Sequence, residues 1–318
     1  MPDPNVWVLS EMGILALDGT PLGGVPFQGM SADVGDARGG KVAVIVDEHE
    51  LWTHLEGRWE QRLRTEWALQ CVRWALDGRL LVGTEKARVA WGEDAELRFL
   101  KSFDEVPERP LWNTPFGAPP AVRSLAVGAD GTLYADIHVG WVVRSRDGGQ
   151  TWESLRKGLN KDVHMVAAHP TDPDVVFAAT ATGFHISHDR GDSWDRRPHG
   201  MPHHYQRACA IFPDEDVYLV STAIHDGGED ARLYRSEDEG KNWIQVEGLP
   251  PALNRNIDTH QIALLPRGSA FVVVNDRGLF ASADAGKTWA QAEPEFPRIW
   301  SLLSLVNGEE LRSDFTPK

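Results

Sequence analysis

Apolar positions in this chain come in short runs rich in Val, Ile, Leu and Phe, and each run is cut by a polar turn before the next begins. The segment "VHMVAAHPTDPDVVFAAT" from Val163 shows the form: a strand-like run, a turn carrying Pro and Asp, and a second strand-like run. The same shape recurs in "QCVRWALDGRLLVGTE" from Gln70, "VRSLAVGADGTLYADIH" from Val122, "QRACAIFPDEDVYLVST" from Gln206 and "HQIALLPRGSAFVVVND" from His260. These runs predict antiparallel strand pairs. No segment repeats apolar residues at three- and four-residue spacing over more than ten positions, so no helical domain is expected.

A second pattern is laid over the first. The phrase Ser-x-Asp-x-Gly-x-x-Trp occurs at Ser145–Trp152, Ser187–Trp194, Ser236–Trp243 and Ser282–Trp289, with successive serines 42, 49 and 46 residues apart. That period suits a four-stranded propeller blade. The invariant positions are Ser145, Asp147, Gly149 and Trp152; Ser187, Asp189, Gly191 and Trp194; Ser236, Asp238, Gly240 and Trp243; Ser282, Asp284, Gly286 and Trp289. Serine and aspartate can bond the amides of a tight turn, glycine supplies a positive φ, and tryptophan returns to the apolar layer. A strand-like run precedes each copy ("GWVVRS", "GFHIS", "RLYRS", "GLFAS"), which places the phrase between the third and fourth strands.

The phrase resembles the Asp box of the sialidase-like, BNR-repeat β-propellers, within the wider group of WD40- and YVTN-like propellers. The copies and their flanks cover about half of the chain. The resemblance implies a structural role for the boxes, with a calcium or sugar site there as the alternative. A weaker copy keeps Gly57 and Trp59 but not the Ser or Asp, and in "VAWGEDAELRF" the box has decayed. The expected fold is an all-β, seven-bladed propeller of four-stranded antiparallel blades forming one domain over residues 1–318. The blades are laid out at about 29–65, 66–104, 120–160, 161–203, 204–250 and 255–296, and a closing blade joins 298–318 to 1–28. In that blade "RIWSLLSLVNGEEL" supplies a first strand, while "NVWVLS" and "GILALDG" supply the second and third, so pairing of the chain ends removes two exposed edges. Residues 106–120, with Pro107, Pro110, Pro115, Pro119 and Pro120, read as a long connection between blades.

Composition narrows the function classes. The chain has 318 residues, 42% hydrophobic, with 30 Gly, 20 Pro and 13 Trp, enough to bury a full core and rich in turns. Its 47 acidic residues against 32 basic ones give a net charge of −15, which disfavours nucleic acid and anionic membrane surfaces. No run is long enough to span a membrane, and the N-terminus lacks the basic start and apolar stretch of a signal peptide, so a cytoplasmic protein is expected. Cys71 and Cys209 fall inside apolar strands and read as small buried hydrophobes. A monomer is expected.

Candidate chemistry lies where the blades differ. Aligning innermost strands on their turns puts Gln70, Arg123, His164, Arg207, His260 and Trp300 at equivalent places near the channel mouth, with Tyr205 and Asp258 two residues earlier in their blades. Loops between second and third strands add Glu48, His49, Glu85, Asp136, His138, His225, Asp226, Asp276 and Arg277. Two arginines, two histidines and a tyrosine from separate blades suit a small anion or a sugar. His164, His260, Tyr205 and Asp258 are the catalytic candidates. No cofactor is required, but a divalent metal is an alternative occupant, with His138, His164, His225 and His260 as ligands. His185, His188, His199, His203 and His204 read as surface residues.

True sialidase activity is not expected. That family has an Arg-Ile-Pro phrase, an arginine triad and a glutamate beside its nucleophilic tyrosine; here "PRIW" at Pro297–Trp300 is another order at the other end, and only Arg123 and Arg207 reach the mouth. The expectation is a propeller that binds a ligand or a protein partner at its polar mouth, in the repeat style of photosystem II assembly propellers and sortilin-type receptors. The alternative is a hydrolase or lyase using the same face.

Overall fold

Each strand-turn-strand run closes a hairpin, and each hairpin recruits further strands into one antiparallel sheet. The structure, a computed structural model, describes residues 5–92, 97–114, 117–212, 214–292 and 295–305. Seven sheets result, six of four strands and one of three. Their first strands are Ala32–Arg38, Leu69–Trp74, Val122–Val127, Val163–Ala168, Cys209–Phe212, Ile262–Leu264 and Ile299–Ser304. Each packs against the next and the last returns to the first, so the fold is a seven-bladed β-propeller.

The second strands explain why the ring is stable. Strands such as Val176–Thr180, Leu133–Ile137 and Val217–Thr222 are buried along their whole length, because each blade is covered on both faces by its neighbours. Between the fourth and fifth blades Phe177, Phe184, Tyr218 and Trp243 interlock, with Phe184 edge-on to Trp243 at 5.1 Å between ring centres.

The four Ser-x-Asp-x-Gly-x-x-Trp turns share one bond set. In the last of them Ser282 Oγ accepts from Gly286 N at 3.0 Å, while Asp284 accepts from Thr288 N at 2.9 Å and from Thr288 Oγ1 at 2.6 Å. The tryptophan then drops into the layer between blades, where Trp152, Trp194, Trp243 and Trp289 are all buried. A further contact links successive blades. The box tryptophan amides of Trp194, Trp243 and Trp289 donate to the carbonyls of Lys157, His199 and Glu247 of the preceding blade. The glycines that follow those carbonyls, Gly158, Gly200 and Gly248, have positive φ, and a Cβ on any of them would lie within 2.3 Å of a tryptophan carbonyl oxygen.

Closure is as expected. Ile299–Ser304 pairs antiparallel with Val6–Ser10, in the register Val6 with Ser304 and Val8 with Leu302, and Gly13–Leu15 adds the third strand. This blade differs from the expected four strands: only an isolated bridge between Leu15 and Pro21 stands where the fourth would be. A helical turn, Lys101–Asp104, precedes the Pro-rich connection and a second short turn, Arg109–Leu111, lies within it; Phe103 and Trp112 are buried against Trp152. Pro115, residues 93–96 of the decayed box and the chain from Val306 onward lie outside the described residues. Among the described residues no helix is long and apolar enough to cross a membrane.

Candidate functional site

The inner strands carry a repeated irregularity. Register shifts fall between Ala32 and Val34, Leu69 and Cys71, Val122 and Leu125, and Val163 and Met165; in the closing blade the shift skips Trp300. The residues left over are Asp33, Gln70, Arg123 with Ser124, His164 and Trp300. A β-bulge frees its extra residue from the pleat and re-aims the side chain, here at the end of the channel. Polar groups of second strands take up the amides that lose their ladder partners: Asp136 accepts from Ser124 N, and Ser221 Oγ accepts from Arg207 N and from Ala208 N at 2.9 Å. Arg207 and His260 stand just ahead of strands that begin at Cys209 and Ile262.

These positions open onto a cavity of about 680 Å³ lined by Gln70, Arg123, Arg207, Asp258, His260 and Trp300 among others. The same cavity takes in Asp33, Glu48 and Asp276, together with Arg255 and Arg298. Every arginine in its wall is matched by a carboxylate. Asp258 sits between Arg207, at 2.8 Å, and Arg123, at 3.3 Å, while Asp276 lies 3.1 Å from Arg255 and 3.2 Å from Arg298. Enclosure alone would raise the Asp258 carboxyl, but the Arg123 and Arg207 charges overcome it and hold the group far below the usual carboxylate range. Burial, followed by the charge on Arg73, lowers His260 to about 4, so its imidazole is neutral at pH 7. Arg298 lies over the Trp300 ring at 4.0 Å.

Asp33 was missed by the sequence reading, although aligning the first blade on its turn as the others were aligned would have placed it at the mouth. Its carboxylate accepts from Ser31 Oγ at 2.5 Å and from Glu48 N at 2.6 Å. Burial still raises the Asp33 carboxyl, helped by the charges of Glu48 and Asp47.

His164 and Tyr205 do not line this cavity. The His164 ring is fully buried, held sideways by a 2.6 Å hydrogen bond from Nδ1 to the Gln206 carbonyl and stacked on Tyr205 at 4.7 Å. On its other side stand His138, 5.8 Å away between ring centres, and Asp162. Burial and the nearby Arg123 charge lower His138 to about 4. For Asp162, burial works upward but His164, His138 and Arg123 hold the carboxyl below its usual range. Asp162 stands two residues before His164, as Tyr205 and Asp258 do before Arg207 and His260, so the signal for it was present.

The four-histidine metal set is not brought together. His138 and His164 share Asp162, His260 faces the main cavity, and His225 is exposed beside Asp226 and Glu229, both at 3.5 Å. The loop after Thr222 is long enough to carry His225 outward. Two further expectations need correction. Asp136 belongs to the strand Leu133–Ile137 rather than to a loop and is fully buried, and His185 is buried in Gly183–Ser187, where Nδ1 donates to the Gly183 carbonyl at 3.1 Å.

No family model matches the chain. It is 26% identical over 199 residues to an oligoxyloglucan-reducing end-specific xyloglucanase of Emericella nidulans, a match covering 55% of this chain and 24% of that protein. It is 24% identical over 217 residues to a xyloglucanase of Hypocrea jecorina, covering 65% of this chain and 25% of that one. The chain thus spans about a quarter of the curated relatives it matches. Among solved structures, the GH74 enzyme of Niastella koreensis superposes with a TM-score of 0.62 at 14% identity, over 89% of this chain and 46% of that chain. YCF48 bound to D1 peptide superposes at 0.58 and 13% identity, over 86% of this chain and 88% of that chain. At such identities these likenesses show the fold alone.

Proposed function

We propose that the mouth cavity binds a neutral, hydroxyl-rich ligand, a segment of an oligosaccharide. The observation that carries this reading is the pairing of Arg123, Arg207, Arg255 and Arg298 with Asp258 and Asp276 inside the cavity wall. A guanidinium already held by a carboxylate has little charge to offer an incoming anion, and six acidic side chains line the cavity against four arginines. What remains is a dense set of donors and acceptors, Gln70, Asn256, Thr259 and Gln261 with the outer edges of the ion pairs, which suits hydroxyl groups. The resemblance to proteins named as xyloglucanases supports the same class of ligand.

The test compares a neutral xyloglucan oligosaccharide with an oligogalacturonate by titration calorimetry. The wild type is expected to bind the neutral sugar and ignore the uronate. Asp258→Asn, which frees two arginines, should reverse that preference. Tighter binding of the uronate, or of a basic peptide, by the wild-type protein would overturn the reading.

A second reading, hydrolysis, rests on one observation. Asp33 and Asp258 line the same cavity with their carboxyl groups pushed in opposite directions, the condition for one proton donor and one ionised partner in glycoside cleavage. Under this reading Asp33→Asn abolishes release of reducing sugar and leaves oligosaccharide affinity within a few-fold.

A further inference from the structure

We propose that His138, Asp162 and His164 form a binding site for a first-row divalent metal ion of the zinc class, beside the cavity rather than in it. Two separate pieces of backbone supply the ligands. His138 follows the strand Leu133–Ile137, Asp162 precedes the strand Val163–Ala168, and His164 is the bulge residue of that strand. Asp162 is held at both ends of its peptide: its amide donates to Asn160 Oδ1 at 2.8 Å, and its carbonyl accepts from Ala181 N at 3.0 Å.

The distances fit one ion. Asp162 Oδ1 lies 3.2 Å from His164 Nε2 and 3.6 Å from His138 Nε2, and one donor atom of each residue lies within 4.8 Å of the other two. A tetrahedral ion with bonds of ~2.0–2.1 Å separates its ligand atoms by about 3.3–3.4 Å. The two measured contacts bracket that separation.

The hydrogen bonding of His164 points independently to a cation. Its Nδ1 donates to the Gln206 carbonyl at 2.6 Å, which leaves the lone pair of the neutral ring on Nε2. That atom is buried and has no hydrogen-bond partner, and neither has Asp162 Oδ1, although the two face each other at 3.2 Å. With the His164 ring neutral, two acceptors this close repel unless a cation lies between them. A carbonyl on the far nitrogen is also the arrangement that fixes the tautomer of a metal-binding histidine. The guanidiniums whose charges reach this cluster, Arg123 and Arg207, are engaged by Asp258. Two imidazole nitrogens and one carboxylate oxygen favour zinc, cobalt or iron over magnesium or calcium, and three protein ligands leave a coordination position open.

The experiment uses the full chain, stripped with chelator and titrated with Zn²⁺ by calorimetry and with Co²⁺ by visible absorption. The wild type should take up one ion and give the intense cobalt bands of a tetrahedral site. His138→Gln and Asp162→Asn, checked for folding by circular dichroism, should each weaken binding roughly tenfold or more. His225→Ala removes an exposed histidine beside two carboxylates and should leave the stoichiometry and affinity unchanged. Absence of one-to-one binding by the wild type would overturn the proposal. So would binding lost in His225→Ala and kept in the folded triad variants, or a His164 ring that stays doubly protonated in nitrogen-resolved spectra when Zn²⁺ is added. Metal uptake is read without any sugar, so its outcome is independent of the ligand at the main cavity.

Discussion

At the scale of single residues, the inner end of the channel is governed by what each polar group is given to bond. Asp258 is ionised because two guanidiniums hold it, while Asp136, one bulge away, is pushed up to about 7 by burial against the opposing charge of Arg123 and the bond from Ser124. The Asp136 value lies above the unfolded carboxyl range, so between about pH 4 and 7 the folded chain keeps a proton that the unfolded chain releases. This group's contribution to stability therefore falls as pH rises through that window and levels off above it. Asp136→Asn should remove the slope, being at least as stable as the wild type at pH 8 and matching it at pH 4.5 in urea unfolding. A variant that loses stability equally at both pH values would show that the carboxylate, not the acid, is the folded form.

At the scale of elements, the blades are joined by a contact made only of backbone. Gly200 has a φ of 88°, and its hydrogen-bearing face abuts the Trp243 carbonyl, where a Cβ would stand 2.3 Å from the oxygen. Gly200→Ala adds an unfavourable left-handed conformation to a clash that only backbone movement can relieve, so it should cost about 2–4 kcal/mol in chemical denaturation. The effect should leave ligand affinity at the mouth unchanged, because the box turns and this contact lie at the other ends of the strands. The "KGLN", "HGMP" and "EGLP" phrases at Gly158, Gly200 and Gly248 carry the contact in the sequence. Their spacing follows the boxes, but the reason for the glycine is visible only once the neighbouring blade is in place.

At the scale of the whole molecule, stability depends on a strand contributed by one chain end to a sheet begun by the other. Ile299 is fully buried and its strand covers both Val6–Ser10 and the first blade. Truncation before Arg298 should open the ring, expose strand edges and replace one sharp thermal transition by a broad one at lower temperature. Retention of the wild-type melting profile would mean that the remaining six blades close without it.

The repeats, the strand order within a blade and the closure between chain ends follow from the sequence alone, because they rest on local signals: alternating burial, turn chemistry and a phrase whose Ser and Asp hydrogen bonds stay within eight residues. The alignment of inner strands also brought Arg123, Arg207, His260, Gln70, Trp300 and Asp258 to one cavity, since rotational symmetry of the ring maps equal positions to equal places. Which of these groups remain free was decided only by the tertiary structure. Asp258 meets two arginines from blades 135 and 51 residues away, and His164 turns out of the cavity because a carbonyl of the next blade captures its ring. Pairings of that kind depend on contacts of about 3 Å between groups on different blades. No local pattern encodes them, because the partner of each charge is set by the ring's geometry rather than by its neighbours along the chain.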